Sequence, residues 1–70
     1  MEMIPVSSTD LASIGYDIDT ATLRVEFLKG GYYEYYAVPN EIFEGLLSAS
    51  SKGKYFNEFI KKGGYSFAKL

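Results

Sequence analysis

Three short stretches of the chain alternate apolar and polar residues with the two-residue period of a β-strand. They are residues 12–18 (ASIGYDI), residues 23–28 (LRVEFL) and residues 32–38 (YYEYYAV). Only a polar turn at residues 19–22 and a Lys-Gly-Gly turn at residues 29–31 separate them. Strands joined by such short turns must pair antiparallel, because a parallel pair needs a long crossover. The pattern therefore predicts a three-stranded antiparallel β-meander.

The length of the second turn decides which tyrosines face the interior. A three-residue loop ending in a left-handed glycine places Tyr33 opposite Phe27 and Tyr35 opposite Val25, so both rings join the apolar face. A two-residue loop would place Glu34 opposite Val25 in the core, and burying an unpaired carboxylate costs several kcal/mol. The three-residue loop is therefore the predicted one.

The other face of the predicted meander carries charged residues and two tyrosines. In this register Glu34 lies opposite Glu26, and Arg24 lies diagonal to Glu34, where it offsets the repulsion between the two carboxylates. Tyr32 and Tyr36 share this outer face. In the first hairpin, a four-residue loop over residues 19–22 gives these pairs: Ile18 with Leu23, Tyr16 with Val25, and Ile14 with Phe27.

The carboxyl-terminal half shows helical periodicity and supplies a cover for the apolar face. A first helix starts at Pro39, as its first residue, or at Asn40, as its cap. Ser50 or Ser51 caps a second helix, and Gly63-Gly64 ends it. The apolar stripes of the two helices are Ile42, Phe43, Leu46 and Leu47, and then Tyr55, Phe56, Phe59 and Ile60.

These elements predict an α+β fold: a three-stranded antiparallel β-meander covered on one face by two carboxyl-terminal helices. Residues 3–8 (MIPVSS) are a candidate short edge strand, and the tail (residues 65–70, YSFAKL) either pairs with a sheet edge or stays loose. The predicted core is Ile14, Tyr16, Ile18, Leu23, Val25, Phe27, Tyr33, Tyr35, Val38, Phe43, Leu46, Leu47, Phe56 and Ile60.

Length and composition narrow the function classes. Seventy residues predict a single domain, residues 1–70, that is held together by packing, since cysteine and histidine are both absent. The absence of these residues removes thiolate chemistry, the commonest general base and the commonest metal ligand. The acids are scattered over turns and helix starts, so we expect no enzyme, no cofactor and no metal. No signal sequence or membrane-length apolar segment is recognised, which predicts a cytoplasmic protein.

Charge is distributed unevenly along the chain. Residues 1–50 carry two basic and eight acidic residues, a balance of −6, whereas residues 51–70 carry five lysines and one glutamate, a balance of +4. Any attraction to nucleic acid must therefore come from the last twenty residues.

Several motifs in order resemble one known family. They are VSS (residues 6–8), IGYD (14–17), the L-x-V-x-F-x-x-G pattern (23–30), Y-x-Y (33–35) followed by VP (38–39), and ASSKGKYFN-x-x-I (49–60). Together they resemble the KTSC domain over roughly residues 6–62. That family occurs at the carboxyl end of some lysyl-tRNA synthetases and as small stand-alone bacterial and phage proteins. The resemblance implies no catalytic residues, and the synthetase fusion suggests RNA binding.

Two binding surfaces follow as hypotheses, and we expect a monomer in both. The first is a surface for RNA, such as tRNA, on the lysine-rich second helix; its residues are Lys52, Lys54, Tyr55, Asn57, Lys61 and Lys62. The alternative for this helix is a solvated face on which Glu58 pairs with a lysine one turn away. The second is a surface for a protein partner on the outer sheet face or an open sheet edge; its residues are Arg24, Leu28, Tyr32 and Tyr36.

Overall fold

A computed structural model describes all residues, 1–70, as an antiparallel sheet with a helical layer on one face. The strands are β1 (Ile4–Pro5), β2 (Leu11–Asp17), β3 (Thr22–Phe27), β4 (Tyr32–Tyr35) and β5 (Phe67–Lys69). The helices are α1 (Asn40–Ser48) and α2 (Lys52–Phe56), and α2 widens into a π-helical turn (Asn57–Lys61). The strands lie in the order β1-β2-β3-β4-β5, so every neighbour in the sheet is also a neighbour in sequence.

The predicted meander is confirmed as the centre of the sheet, and the sheet has one more strand on each side. β1 pairs with β2, and β5 pairs with β4. The tail is anchored further by the Leu70 N–H, which donates to the Tyr32 carbonyl at 2.8 Å. β1 confirms the candidate edge strand in residues 3–8, and β5 shows that the tail is paired. Strands of two and three residues are too short to show alternation, so only the three central strands followed from the periodic pattern.

Both hairpins have the predicted faces but a register displaced by two residues. In the second hairpin Tyr35 lies opposite Leu23 and Tyr33 opposite Val25. The turn comes earlier than predicted, because the Gly30 N–H donates to the Phe27 carbonyl at 2.9 Å. Both glycines of this turn have positive φ, 102° and 92°, as a tight left-handed turn requires. A shift of two preserves the side-chain parity.

The displaced register also changes the charge pairing on the outer face. Glu34 lies directly opposite Arg24, not Glu26 as predicted. The Arg24 Nη2 atom is 2.6 Å from the Glu34 Oε2 atom. An attractive pair has therefore replaced the predicted juxtaposition of two carboxylates, which favours the observed register.

In the first hairpin, Ile14 lies opposite Val25 and Tyr16 opposite Leu23. Ile18 consequently falls beyond the end of β2 and is 70% exposed, so its prediction as a core residue was wrong. A bulge at residue 12 shifts the pairing between Leu11 and Ser13. The extra residue turns Leu11 to the inner face, where it is fully buried.

The core lies between the sheet and the helices and agrees largely with the prediction. Leu47 was also predicted wrongly, since it is 37% exposed while its neighbour Leu46 is fully buried. Tyr16, Phe27 and Tyr33 are partly buried and pack against the core. The buried hydrophobic residues are Leu11, Ile14, Leu23, Val25, Tyr35, Val38, Phe43, Leu46, Phe56 and Ile60.

Close contacts hold α1 to the sheet and α2 to α1. The Tyr16 ring stacks on Phe43 of α1 at 4.9 Å between ring centroids, and its hydroxyl donates to the Val38 carbonyl at 2.5 Å. Tyr55 of α2 packs directly over Gly45 of α1, so a side chain at position 45 would overlap the tyrosine ring. None of the helices is both long and apolar enough to cross a membrane.

Candidate nucleic-acid interface

Three lysines of the second helical segment are exposed and unpaired. They are Lys54, Lys61 and Lys62. The structure contains one ion pair, between Arg24 and Glu34, so Glu58 does not pair with either lysine one turn away. These ammonium groups are therefore available to an anionic ligand.

Two of the predicted RNA-contact residues have structural partners instead. Lys52 is half-buried, and its Nζ atom donates to the Ala49 carbonyl at 3.0 Å, which closes the connection between α1 and α2. The Tyr55 ring is also half-buried and packs against Phe59, with 4.6 Å between centroids. Both side chains position the lysine-bearing segment on α1.

A polar notch of about 340 Å³ lies where α2 begins, between two serine-rich segments. Two of its hydroxyls accept hydrogen bonds from nearby backbone N–H groups. The Ser8 Oγ atom accepts from the Asp10 and Leu11 N–H groups, each at 3.2 Å, and the Ser51 Oγ atom accepts from the Lys54 N–H at 3.4 Å. Serine 51 is thus the cap of α2, one of the two caps predicted.

Gly53 marks a close approach between α2 and the loop before β2. A Cβ atom at this position would lie 2.8 Å from the Asp10 Oδ2 atom. Asp10 and Gly53 both line a cleft of about 540 Å³ between the second helical segment and the β3–β4 turn. This cleft is larger than the polar notch.

The floor of this cleft is aromatic. Phe27 makes edge-to-face contacts with Tyr33 and Phe56, at 5.3 and 5.5 Å between centroids. Tyr35 contacts Phe56 edge-to-face at 5.5 Å and stacks on Phe67 of β5 at 5.3 Å. Burial, with the nearby Tyr33 hydroxyl as a second cause, raises the pKa of Tyr35 above its ordinary value.

The rim of the cleft is polar. Asn57 and Lys61 lie on the helical side, and Lys29 and Asp10 lie in loops. The Asn57 backbone N–H completes α2 by donating to the Gly53 and Lys54 carbonyls, and its side chain is exposed. Of the predicted RNA-contact residues, the cleft therefore brings together Asn57 and Lys61, while Lys54 and Lys62 lie outside its lining.

The outer sheet face has a small network of its own. The Arg24 Nε and Nη2 atoms donate to the Glu34 Oε2 atom at 3.0 and 2.6 Å, and the Tyr36 hydroxyl donates to Oε1 at 3.2 Å. Partial burial raises the pKa of Tyr36, as do this hydrogen bond and the Glu34 charge, while the Arg24 charge lowers it. Tyr32 is 41% exposed on this face, whereas Leu28 lies in the turn and lines the cleft.

Sequence reasoning missed three residues that line the cleft: Asp10, Lys29 and Phe67. Phe67 belongs to a tail whose pairing was left open. Once the tail is paired with β4, parity alone sets Phe67 beside Tyr35 on the inner face. Asp10 and Lys29 lie in loops, whose approach to the helix no periodic pattern encodes.

The family model described as the KTSC domain matches residues 7–65 of the chain. The chain belongs to the KTSC domain family. The match begins one residue later than the motifs predicted and ends three residues further along, at the first residue of the tail.

Relatives of this KTSC domain are of two kinds. An uncharacterised protein of Stutzerimonas stutzeri is 39% identical over 70 residues, which cover 100% of this chain and 99% of the relative. A lysine–tRNA ligase of Nostoc punctiforme is 43% identical over 60 residues, which cover 86% of this chain but 10% of the ligase. The domain thus occurs both nearly alone and as a small part of a much longer protein.

The fold matches a solved structure closely. The crystal structure of a KTSC domain protein from Yersinia pestis superposes with a TM-score of 0.93 at 39% sequence identity. The match covers 99% of this chain and 96% of that one. The five-stranded sheet with its helical cover is therefore a fold that this chain shares with a solved KTSC domain protein.

Proposed function

We propose that this KTSC domain is a non-catalytic RNA-binding module whose lysine-rich helical segment contacts the phosphate backbone. The observation that carries the proposal is the group of exposed, unpaired lysines at positions 54, 61 and 62. Phosphate contacts from such side chains supply most of the non-specific affinity for nucleic acid. The occurrence of related sequence within lysine–tRNA ligases supports RNA, and tRNA in particular, as the nucleic acid.

The arrangement of acidic residues supports a binding role without catalysis. The side chains around the lysines include no histidine or cysteine, and the cleft contains a single carboxylate, Asp10. A binding role needs only the cations, a hydrogen-bonding amide and an aromatic surface, all of which lie within one region of the molecule. Recognition without turnover is accordingly the function proposed.

An NMR titration of ¹⁵N-labelled protein with bulk tRNA, at low and then moderate salt, tests this proposal. We expect chemical-shift changes to concentrate on residues 51–62 and to fade as salt rises, because released counterions drive the binding. A spectrum that does not change at low salt would exclude RNA, since electrostatic attraction is then strongest.

Two single variants with the same net charge sharpen the test. Lys61→Gln removes one cation from the proposed surface, and Ile18→Glu adds one anion at the opposite end of β2 and β3. The slope of log K against log salt is negative, and we expect Lys61→Gln to make it less steep by roughly 0.7, the value for one phosphate contact with a single strand. Ile18→Glu should leave the slope unchanged. Equal effects would indicate a response to net charge without a defined contact surface.

The outer sheet face supports a second candidate, a protein-interaction surface. Tyr32 and Tyr36 expose their rings there, 41% and 36%, and tyrosine is enriched where proteins bind one another. The β1 edge of the sheet is less suited to strand addition, because β1 has two residues and one of them is Pro5. Self-association is one form of this candidate. A sedimentation series that shows monomer at every concentration would remove that form, and a dimer abolished by Tyr36→Ala would support it.

A further inference from the structure

The helical layer does not extend over the whole inner face of the sheet, and Phe67 lies on the part left uncovered. In β5, Phe67 pairs opposite Tyr35 and stacks on its ring with an angle of 26° between the ring planes. Tyr35 is 5% exposed, whereas Phe67 is 60% exposed and lines the cleft. An exposed phenyl ring is thus held flat on a buried aromatic cluster.

We propose that this cleft binds one unstacked nucleobase of single-stranded RNA against Phe67. The inference rests on the proposed RNA-binding function and assigns it a second contact, distinct from the phosphate contacts. Single-stranded nucleic acid is commonly bound through aromatic side chains on which bases stack, beside a basic groove that follows the backbone. The volume of about 540 Å³ lies within the range of small-ligand pockets, roughly 300–1,000 Å³.

The aromatic floor is preorganised for a planar ligand. Tyr35, Phe56, Phe27 and Tyr33 hold one another in a chain of edge-to-face contacts, and Phe67 stacks on its end. A base that stacks there orders few additional side chains, so little conformational entropy is lost on binding. Phe67 is itself fixed in a paired strand.

Polar groups around the floor match the edge of a base and the phosphates on either side of it. The exposed Asn57 amide offers one acceptor and two donors, and the Asp10 carboxylate accepts hydrogen bonds. Lys29 and Lys61 also line the cleft, and Lys69 is close by, since its Cε atom lies 3.8 Å from the Cβ position of Gly31. Three cations against one carboxylate favour a polyanion over an uncharged or basic peptide.

Duplex RNA does not satisfy this arrangement, because its bases are stacked inside the helix. A loop, bulge or single-stranded end presents the unstacked base that the cleft requires. The inference therefore adds a preference for single-stranded over fully paired RNA of equal length.

A fluorescent variant tests base stacking directly. The chain contains no tryptophan, so Phe67→Trp introduces a single reporter at the proposed stacking position. We expect an eight-nucleotide single-stranded RNA to quench its emission by half or more, and an abasic oligomer of the same charge to leave it within a tenth of its starting value. RNA that binds without quenching would overturn the base site while leaving the lysine contacts intact. Quenching by an acidic peptide and not by RNA would overturn it in favour of a peptide ligand.

Affinity measurements with matched variants provide a second, independent test of base binding at Phe67. Phe67→Ala should weaken binding of the eight-nucleotide RNA about tenfold, as expected for the loss of one stacked base. The control, Tyr32→Ala, removes an exposed ring from the opposite face of the neighbouring strand and should change affinity less than twofold. If both variants weaken binding equally, the base is not held in the cleft. If the unmodified protein fails to bind RNA at low salt, both the proposed RNA-binding function and the base-binding site are refuted.

Discussion

Leu11→Ala and Ile18→Ala form a matched pair that tests the register of the first hairpin. Leu11 is fully buried behind the bulge in β2, whereas Ile18 is 70% exposed beyond the end of that strand. Removing three buried carbon atoms at about 0.8 kcal/mol each costs roughly 2.4 kcal/mol, and the cavity left behind brings the cost to about 3 kcal/mol. The exposed isoleucine should cost no more than about 0.5 kcal/mol.

The expected loss is large for a domain of this size. At 0.05–0.15 kcal/mol per residue, 70 residues give a free energy of unfolding of roughly 3.5–10 kcal/mol. Leu11→Ala should therefore remove about 30% or more of it and lower Tm by at least about 10 °C. Urea titration followed by circular dichroism measures both variants, and the m-value should remain constant.

A milder substitution keeps the test usable if Leu11→Ala does not fold. Leu11→Val should cost about 1 kcal/mol and remain well above the cost of Ile18→Ala. The opposite ranking, with Ile18→Ala the more destabilising change, would refute the observed register. That ranking would instead support the register predicted from the sequence, in which Ile18 faces Leu23 in the core.

Three further predictions concern other contacts of the fold. Glu34→Gln should lower the free energy of unfolding by about 1 kcal/mol at low salt and by less at 1 M salt, since it removes the charge facing Arg24. Urea titrations that show equal losses at both salt concentrations would argue against an ionic contribution. Burial, with the charges of nearby acids, raises the pKa of Tyr16 in the folded state, so the neutral hydroxyl contributes fully to stability below about pH 10, and this contribution is lost as pH rises through the folded pKa. Urea titrations between pH 9 and 11 should therefore show a smaller loss of unfolding free energy with rising pH in Tyr16→Phe than in the unmodified protein. Gly45→Ala should cost about 1–3 kcal/mol by overpacking against Tyr55, and thermal melts should show part of that loss recovered when Tyr55→Leu is added.

The sequence was most informative where a periodic pattern extended over six or seven residues. It correctly placed Tyr33 and Tyr35 on the inner face and Tyr32 and Tyr36 on the outer one, because parity depends on local alternation alone. Register depends on where the chain turns, and a shift by two residues leaves every parity unchanged. The favourable pairing of Glu34 with Arg24 could have distinguished the two registers in the second hairpin.

The candidate site was less predictable, because it is assembled from separate parts of the chain. Lys61 and Asn57 were found from helical spacing and composition, but Phe67 becomes significant only when β5 pairs beside β4. Asp10 reaches the cleft through a loop that passes close to Gly53. Such contacts depend on the packing of distant segments and leave no periodic signal.

The net charge of −2 does not oppose the proposed binding of a polyanion under physiological conditions. The molecule measures 27 × 22 × 22 Å, whereas electrostatic interactions at 0.15 M salt are screened over about 8 Å. A phosphate beside Lys61 therefore interacts mainly with the lysines around the cleft and little with Glu26 and Glu34 on the outer face, where Arg24 also neutralises one charge. At 0.01 M salt the screening length grows to about 30 Å and the acids across the sheet are no longer screened. The slope of log K against log salt should then be steep above 0.1 M and shallower at the lowest concentrations, and a slope that is steeper at low salt would show that the cations do not act locally.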